Sequence, residues 1–81
     1  QELLDADEMA EQITRALELL PPKCKTVFVL SRYEEMSYKE IAENLDISVK
    51  TVENQISKAL DILRNSLKAF LMLILVFLKN I

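Results

Sequence analysis

The chain contains no glycine, and its only two prolines are adjacent, at positions 21 and 22. Glycine and proline supply most of the tight turns that join β-strands, so hairpins are poorly supported here. The sequence is rich instead in Leu, Ala, Glu, Lys and Ile, most of which favour helices. We therefore predict an all-α fold of four or five helices with no sheet.

At 81 residues the chain has the size of one small domain, 1–81, with a modest core. It begins with Gln1 rather than methionine, which suggests a fragment of a longer protein. The expected segments are an acidic leader and first helix over 1–20, a second helix over 22–35, a helix-turn-helix over 37–65 and an apolar C-terminal helix over 66–80.

Charge is distributed unevenly, although the formal total is only −3. Residues 1–18 carry six acidic side chains against one basic one, Arg15, which gives −5 there and leaves +2 for the remainder. An acidic leader followed by a mildly basic body is compatible with DNA contact by the body.

The sequence shows no pattern typical of catalysis or metal binding. It has no histidine and only one cysteine, Cys24, so neither a disulfide nor a thiol–histidine pair is available. Glycine-rich phosphate loops are also absent. We therefore expect no enzyme, no metal, no cofactor and no small-molecule substrate, and we interpret Cys24 as a small buried or half-buried side chain.

No segment resembles an export signal. The apolar run 69–78 would measure only about 15 Å as a helix, half the thickness of a bilayer core. A cytoplasmic protein is therefore predicted.

Capping residues and periodicity place the helices. Asp5 or Asp7 is expected to cap the first, and Pro22 suits the first turn of the second. Ser37 opens the third with a capping box, S-Y-K-E, and Ser48 caps the fourth after a tight turn. The side chains expected to face the core are Met9, Ile13, Ala16, Leu17, Leu20, Val27, Phe28, Leu30, Ile41, Ala42, Leu45, Val49, Val52, Ile56, Ala59, Leu60 and Leu63.

Two short amphipathic helices separated by three residues predict a helix-turn-helix, in which the first helix braces the second and leaves its polar face exposed. Such a face fits the major groove of DNA. Asn54 suits an adenine edge, Glu53 a cytosine amino group, and Lys50 and Lys58 suit guanine edges or phosphates. An ordinary solvated helix carries the same residue types, so composition alone leaves both interpretations open.

Several short motifs follow one another in a fixed order. They are L-P-P at 20–22, V-F at 27–28, S-Y-K-E-I-A at 37–42, L-D-I-S at 45–48, T-V at 51–52 and K-A-L at 58–60. With these motifs in this order, the chain resembles region 4 of bacterial sigma factors of the sigma-70 family, in particular the extracytoplasmic-function group. The resemblance covers about residues 16–68.

This resemblance implies a winged-helix-like domain of the sigma region 4 type. Such a domain binds the −35 promoter element and docks on core RNA polymerase, and some are masked by an anti-sigma factor. Helix N-termini favour phosphates, which suits the residues before and within the first turn of the fourth helix. The resemblance implies three groups of DNA-binding residues at the corresponding positions. Tyr38 and Lys39 would contact the opposite DNA backbone, and Ser48, Lys50 and Thr51 would lie near phosphates. The residues at base edges or in the groove would be Glu53, Asn54, Gln55, Ser57 and Lys58.

The sequence departs from the family pattern at four positions. Glu35 and Asp46 stand where relatives often have glycine, which implies strain of roughly 1 kcal/mol in left-handed turns. Glu53 and Gln55 stand where many relatives carry arginine. We therefore expect weak DNA binding by the isolated domain, with a shallow dependence on salt.

The apolar run Ala69 to Leu78 leaves two arrangements open. The fourth helix breaks near Asn65-Ser66 and folds back on the core around Ile13 and Leu17, or its end enters a partner. An anti-sigma factor, a second copy of the chain and a membrane surface are the partners considered.

Two other functions remain as alternatives. One is the helix-turn-helix output domain of a response regulator or quorum-type transcription factor, which shares K-E-I-A and K-T-V but usually ends soon after the fourth helix. The other is a protein-interaction domain with little DNA affinity, which the net charge and Glu53 favour.

Overall fold

The fold consists of four α-helices in a computed structural model that describes the backbone of residues 6–79. Side chains are described over the same range except at 73, 74 and 77–79. This part of the chain contains no strand, and the all-α prediction is confirmed. The elements are α1 (Ala6–Glu18), α2 (Pro22–Arg32), α3 (Tyr38–Leu45) and α4 (Val49–Lys79).

The first two helices meet at the proline pair. Pro21 is the N-cap of α2 and Pro22 its first residue, where a missing N–H costs no hydrogen bond. Asp7 lies within the first turn of α1, so it does not cap that helix, and Asp5 lies outside the described residues. The α2 helix ends at Arg32, three residues before its predicted end.

The predicted capping box starts α3. The Glu40 amide donates to Ser37 Oγ at 3.1 Å, and the Ser37 amide donates to Glu40 Oε1 at 2.8 Å. At the other end Asp46 is left-handed, with φ of 57°, and the Ile47 amide returns to the Ala42 carbonyl at 3.0 Å. This closure is of the Schellman type, and it ends the helix within one residue.

The core lies where α1, α2 and α3 each pack against α4. It includes Cys24, which is fully buried. Most of the predicted core positions are confirmed. The buried side chains are Ala16, Leu20, Cys24, Val27, Phe28, Ile41, Ala42, Val52, Ile56, Ala59 and Leu63.

Three predicted core residues are exposed instead. Ile13 is 39%, Val49 41% and Leu60 38% exposed. On α4 the buried stripe is centred on Val52, Ile56, Ala59 and Leu63, so Val49 and Leu60 lie at its edge. The apolar surface of the shorter helices does not extend far enough to cover this edge.

Of the two arrangements left open for the apolar run, the break near Asn65-Ser66 does not occur, and the residues expected to form a C-terminal helix continue α4 as far as they are described. The α4 helix runs without interruption from Val49 to Lys79, and the molecule is 52 Å long in that direction. No glycine or proline lies in this stretch, and Asn or Ser inside a helix costs only a few tenths of a kcal/mol. Leu67 still packs against the core, but Leu71, Met72, Leu75 and Val76 are exposed.

Candidate nucleic-acid interface

The outward face of α4 carries most of the predicted DNA-binding side chains. It lies opposite the buried stripe that fixes the helix to the core. Asn54, predicted to contact an adenine edge, and Lys58, predicted to contact a guanine edge or phosphate, are both exposed. The exposed candidates on this helix are Lys50, Glu53, Asn54, Ser57 and Lys58.

Ser48 and Thr51 form the cap at the start of α4. The Thr51 amide donates to Ser48 Oγ at 3.0 Å, and the two hydroxyl oxygens are 2.9 Å apart. The first amides of any helix lack partners within it, and here they lie at the exposed end of the outward face. The cap therefore gives the helix a defined start beside a region of positive potential, while its two hydroxyls are already engaged with each other.

The α3 helix braces α4 from behind. Ile41 and Ala42 are buried against the core, and the partly buried Tyr38 packs against it as well. Lys39, the next residue, is exposed. These two predicted contacts therefore differ in accessibility. The Lys39 side chain is exposed to solvent, whereas that of Tyr38 is partly buried against the core.

Both turns that flank α3 use a left-handed residue that is not glycine. Glu35 has φ of 56° and Asp46 has φ of 57°. These are the two positions at which the resemblance led us to expect left-handed turns, and both turns are present. The turn at Asp46 fixes the direction in which α4 leaves α3.

Gln55 and Thr51 lie at the side of α4 that faces α2, and both are half-buried. They border an open groove of about 440 Å³ between the two helices. Val27, Leu45 and Ile47 form its apolar part. Gln55 is therefore less available to a base edge than Asn54.

Lys23 lines the same groove from α2 and is exposed. Lys23 was not among the predicted DNA-binding residues, because nothing in its local sequence pattern separates it from other surface lysines. Only the packing of α2 on α4 brings a cation from the start of α2 to the same groove as Thr51 and Gln55.

Cys24 is linked to the same helix from inside. Its Sγ donates to the Gln55 carbonyl at 3.4 Å. Burial raises the pKa of the Cys24 thiol, and the positive charge of Lys58 opposes this in part. The thiol is therefore kept neutral, which fits the predicted structural role and not that of a nucleophile.

Charge on the outer face changes along α4. Asp61 and Arg64 form an exposed ion pair and so largely neutralise each other. Lys50 and Lys58 precede this pair, with Glu53 between them. The first three turns of the helix therefore carry two positive charges and one negative charge, and Glu53 weakens their positive potential.

Within residues 6–79, no three side chains of the metal-binding types come together. In the same range, no helix has the length and apolar content needed to cross a membrane.

Comparison with known protein families identifies the family of this domain. The model of sigma-70 region 4 matches residues 10–63, which include the whole of the core and the outward face just described. This chain belongs to the sigma-70 region 4 family. The apolar end of α4 lies beyond the matched residues.

A curated relative of this region 4 domain is the ECF RNA polymerase sigma factor SigW of Bacillus subtilis (strain 168). The two are 38% identical over 61 residues, which is 75% of this chain. The chain spans only about a third (33%) of the length of that relative. The likeness therefore concerns one domain of a longer protein.

Proposed function

We propose that this chain is the promoter-recognition module of an RNA polymerase sigma factor. In this proposal α4 enters the major groove of the −35 element, and another surface of the domain docks on core RNA polymerase. The module does no chemistry. It positions the polymerase by contacting bases and phosphates.

The observation that supports this most directly is the exposure of the outward face of α4. Asn54 and Lys58 are exposed, and the capping residues give the helix a fixed start. A rigid, exposed polar helix is what major-groove recognition requires. Family membership then makes promoter DNA the preferred ligand over an unrelated duplex.

The proposed role of each residue follows from its position in the fold. Glu53, Asn54 and Ser57 face base edges, and Lys58 reaches a base edge or phosphate. Lys39 and Lys50 lie at the two sides where backbone phosphates would pass. Lys23 joins this set because it borders the groove beside Thr51, whereas we give Tyr38, Ser48 and Gln55 smaller roles since each is partly used by the protein.

Removal of single side chains tests these roles. We expect Asn54→Ala to change the preferred −35 sequence at one base pair, by about 1–3 kcal/mol of discrimination. We expect Lys58→Ala to weaken binding to all duplexes and to reduce the salt slope by about one counterion. Fluorescence anisotropy with a set of altered −35 duplexes over a range of salt concentrations measures both effects.

The chain supplies matched controls on the same helix. Asn65 and Lys68 are exposed and lie eleven and ten residues beyond Asn54 and Lys58, about 15 Å further along the axis. Asn65→Ala and Lys68→Ala should bind like wild type. Equal behaviour of all four variants and wild type on every duplex would contradict the assigned roles.

Weak DNA affinity of the isolated domain is part of the proposal. Glu53 places a negative charge among the groove-facing residues, and the acidic α1 helix adds more. We therefore expect weak binding at low salt that declines with a shallow slope and becomes too weak to detect near physiological ionic strength. Addition of core RNA polymerase should restore promoter binding, because docking supplies a second attachment.

The exposed apolar stripe at the end of α4 supports a protein interface. Leu71, Met72, Leu75 and Val76 lie one turn apart in pairs, and Leu75 is 64% exposed. We propose that two copies of the chain associate through this stripe. An anti-sigma factor is the alternative partner for the same surface. Contiguous exposed apolar residues of this kind commonly mark interaction sites.

Light scattering separates these occupants. Self-association predicts oligomers that Leu75→Lys converts to monomers. Leu19→Lys, at a 60% exposed leucine outside this stripe, should leave the oligomers intact. A monomeric wild-type chain would rule out self-association and leave the stripe to a different protein. If another protein binds this stripe and the chain itself gives no band shift with promoter DNA, the interaction-domain alternative is favoured.

A further inference from the structure

Val49 is an apolar side chain exposed at the start of the recognition helix. It is the first residue of α4 and is 41% exposed, although its sequence pattern predicts burial. The Ser48 cap just before it fixes the helix start, so the side chain projects from a defined position. The core does not use it, and its role in the proposed complex is so far unassigned.

Its position relative to the groove-facing residues is fixed by helix geometry. Val49 lies one turn before Glu53 on the same edge of α4 and adjoins Lys50. Recognition helices contact base edges mainly through their N-terminal residues. In the proposed complex Val49 is therefore among the first side chains to approach the bases, at the edge of the inserted face that it shares with Glu53.

The chemistry of the groove then limits what Val49 can contact favourably. It has no donor or acceptor, so it reads neither a hydrogen-bonding base edge nor a phosphate. The one apolar group that the four bases display in the major groove is the C5-methyl of thymine. We infer that Val49 is a specificity residue that packs against a thymine methyl group in the −35 element.

This inference rests on the proposed function and deepens it, since it names a base that the other assigned residues do not select. Asn54, Glu53 and the lysines suit adenine, cytosine and guanine edges. Val49 completes the set with thymine, and it does so by shape and hydrophobic contact instead of a hydrogen bond.

The test replaces thymine by uracil, which removes only the methyl group. A duplex is first selected for binding to the wild-type chain from a randomised pool at low salt. Each thymine of the selected duplex is then replaced in turn. For the wild type we expect one replacement to weaken binding about fourfold, the effect of losing one buried methyl group. In Val49→Ala the same replacement should have little effect.

Leu60→Ala is the matched control. Leu60 is 38% exposed on the same edge of α4, but it lies eleven residues, about 16 Å, beyond Val49. This variant should keep the fourfold sensitivity of the wild type. Circular dichroism should show equal helix content in all three proteins, because neither replaced side chain belongs to the core.

Two results would overturn the inference. One is a selected duplex in which no thymine is sensitive to loss of its methyl group. The other is a sensitive thymine that remains equally sensitive in Val49→Ala. Failure of the proposed function looks different, since then no duplex is enriched even at low salt, and the inference falls with it.

Discussion

The left-handed turn before α3 allows a direct test of how the backbone is strained. Glu35 has φ of 56°, a region in which the Cβ of an L-residue crowds the carbonyl that follows. The penalty is roughly 1–2 kcal/mol for an ordinary residue and lower for Asp, whose short polar side chain bonds locally. Glycine has no Cβ, so Glu35→Gly should remove this penalty.

The net gain is smaller than the strain, because glycine also gives the unfolded chain more conformational freedom. Taking about 1.5 kcal/mol of relieved strain and about 0.5 kcal/mol of added unfolded-state entropy leaves about 1 kcal/mol of stabilisation. In a domain of this size that corresponds to a rise in Tm of about 4–8 °C. We expect Asp46→Gly to give about half of this.

Thermal and urea unfolding followed by circular dichroism measures both variants. Glu35→Ala is the control, since it removes the carboxylate but keeps the Cβ that causes the crowding. We expect Ala to match wild type within about 0.5 kcal/mol, as surface substitutions usually do. If Ala stabilised as much as Gly, charge and not backbone strain would be the cause. An unchanged or lower Tm for Glu35→Gly would refute the reasoning altogether.

Two further predictions concern the cap and the buried thiol. Ser37→Ala should lower the free energy of unfolding by about 1 kcal/mol, because the Glu40 amide loses its acceptor. Urea unfolding measures this loss. If the losses of Ser37→Ala and Glu40→Ala simply add in the double variant, the two hydrogen bonds do not act as one capping box. Because burial raises the pKa of Cys24, the folded state prefers the neutral thiol. This contribution is complete below the ordinary thiol pKa of about 8.5 and is lost as pH rises through the raised value. Cys24→Ala should therefore lose stability less steeply than wild type above that pH, and parallel curves would contradict this.

The helices and their ends were predictable because the signals for them are local. The proline pair stops one helix and starts the next, and Ser37 with Glu40 closes its box within four residues. The left-handed turns at Glu35 and Asp46 were also predicted correctly, from the resemblance, which implies glycine at both positions. These features depend on bonds between near neighbours, so the sequence alone contains what is needed to infer them.

The candidate interface was predictable in part. A helical wheel separates the polar face of α4 from its buried stripe, and the exposure of Asn54 and Lys58 follows from that separation. The roles of these residues at DNA remain predictions. The wheel does not show how far neighbouring helices extend. It therefore predicted that Val49 and Leu60 are buried in the core, whereas both are exposed in the structure.

The tertiary structure alone decided which long-range neighbours surround the interface. The approach of α2 to α4 brings Lys23 and Thr51 to one groove and half-buries Gln55, because packing of two helices depends on the shapes of both. It also decided that α4 continues past Asn65 without enough protein around it to cover its apolar end. Helix formation there is a local matter, whereas burial depends on how much surface three shorter helices supply.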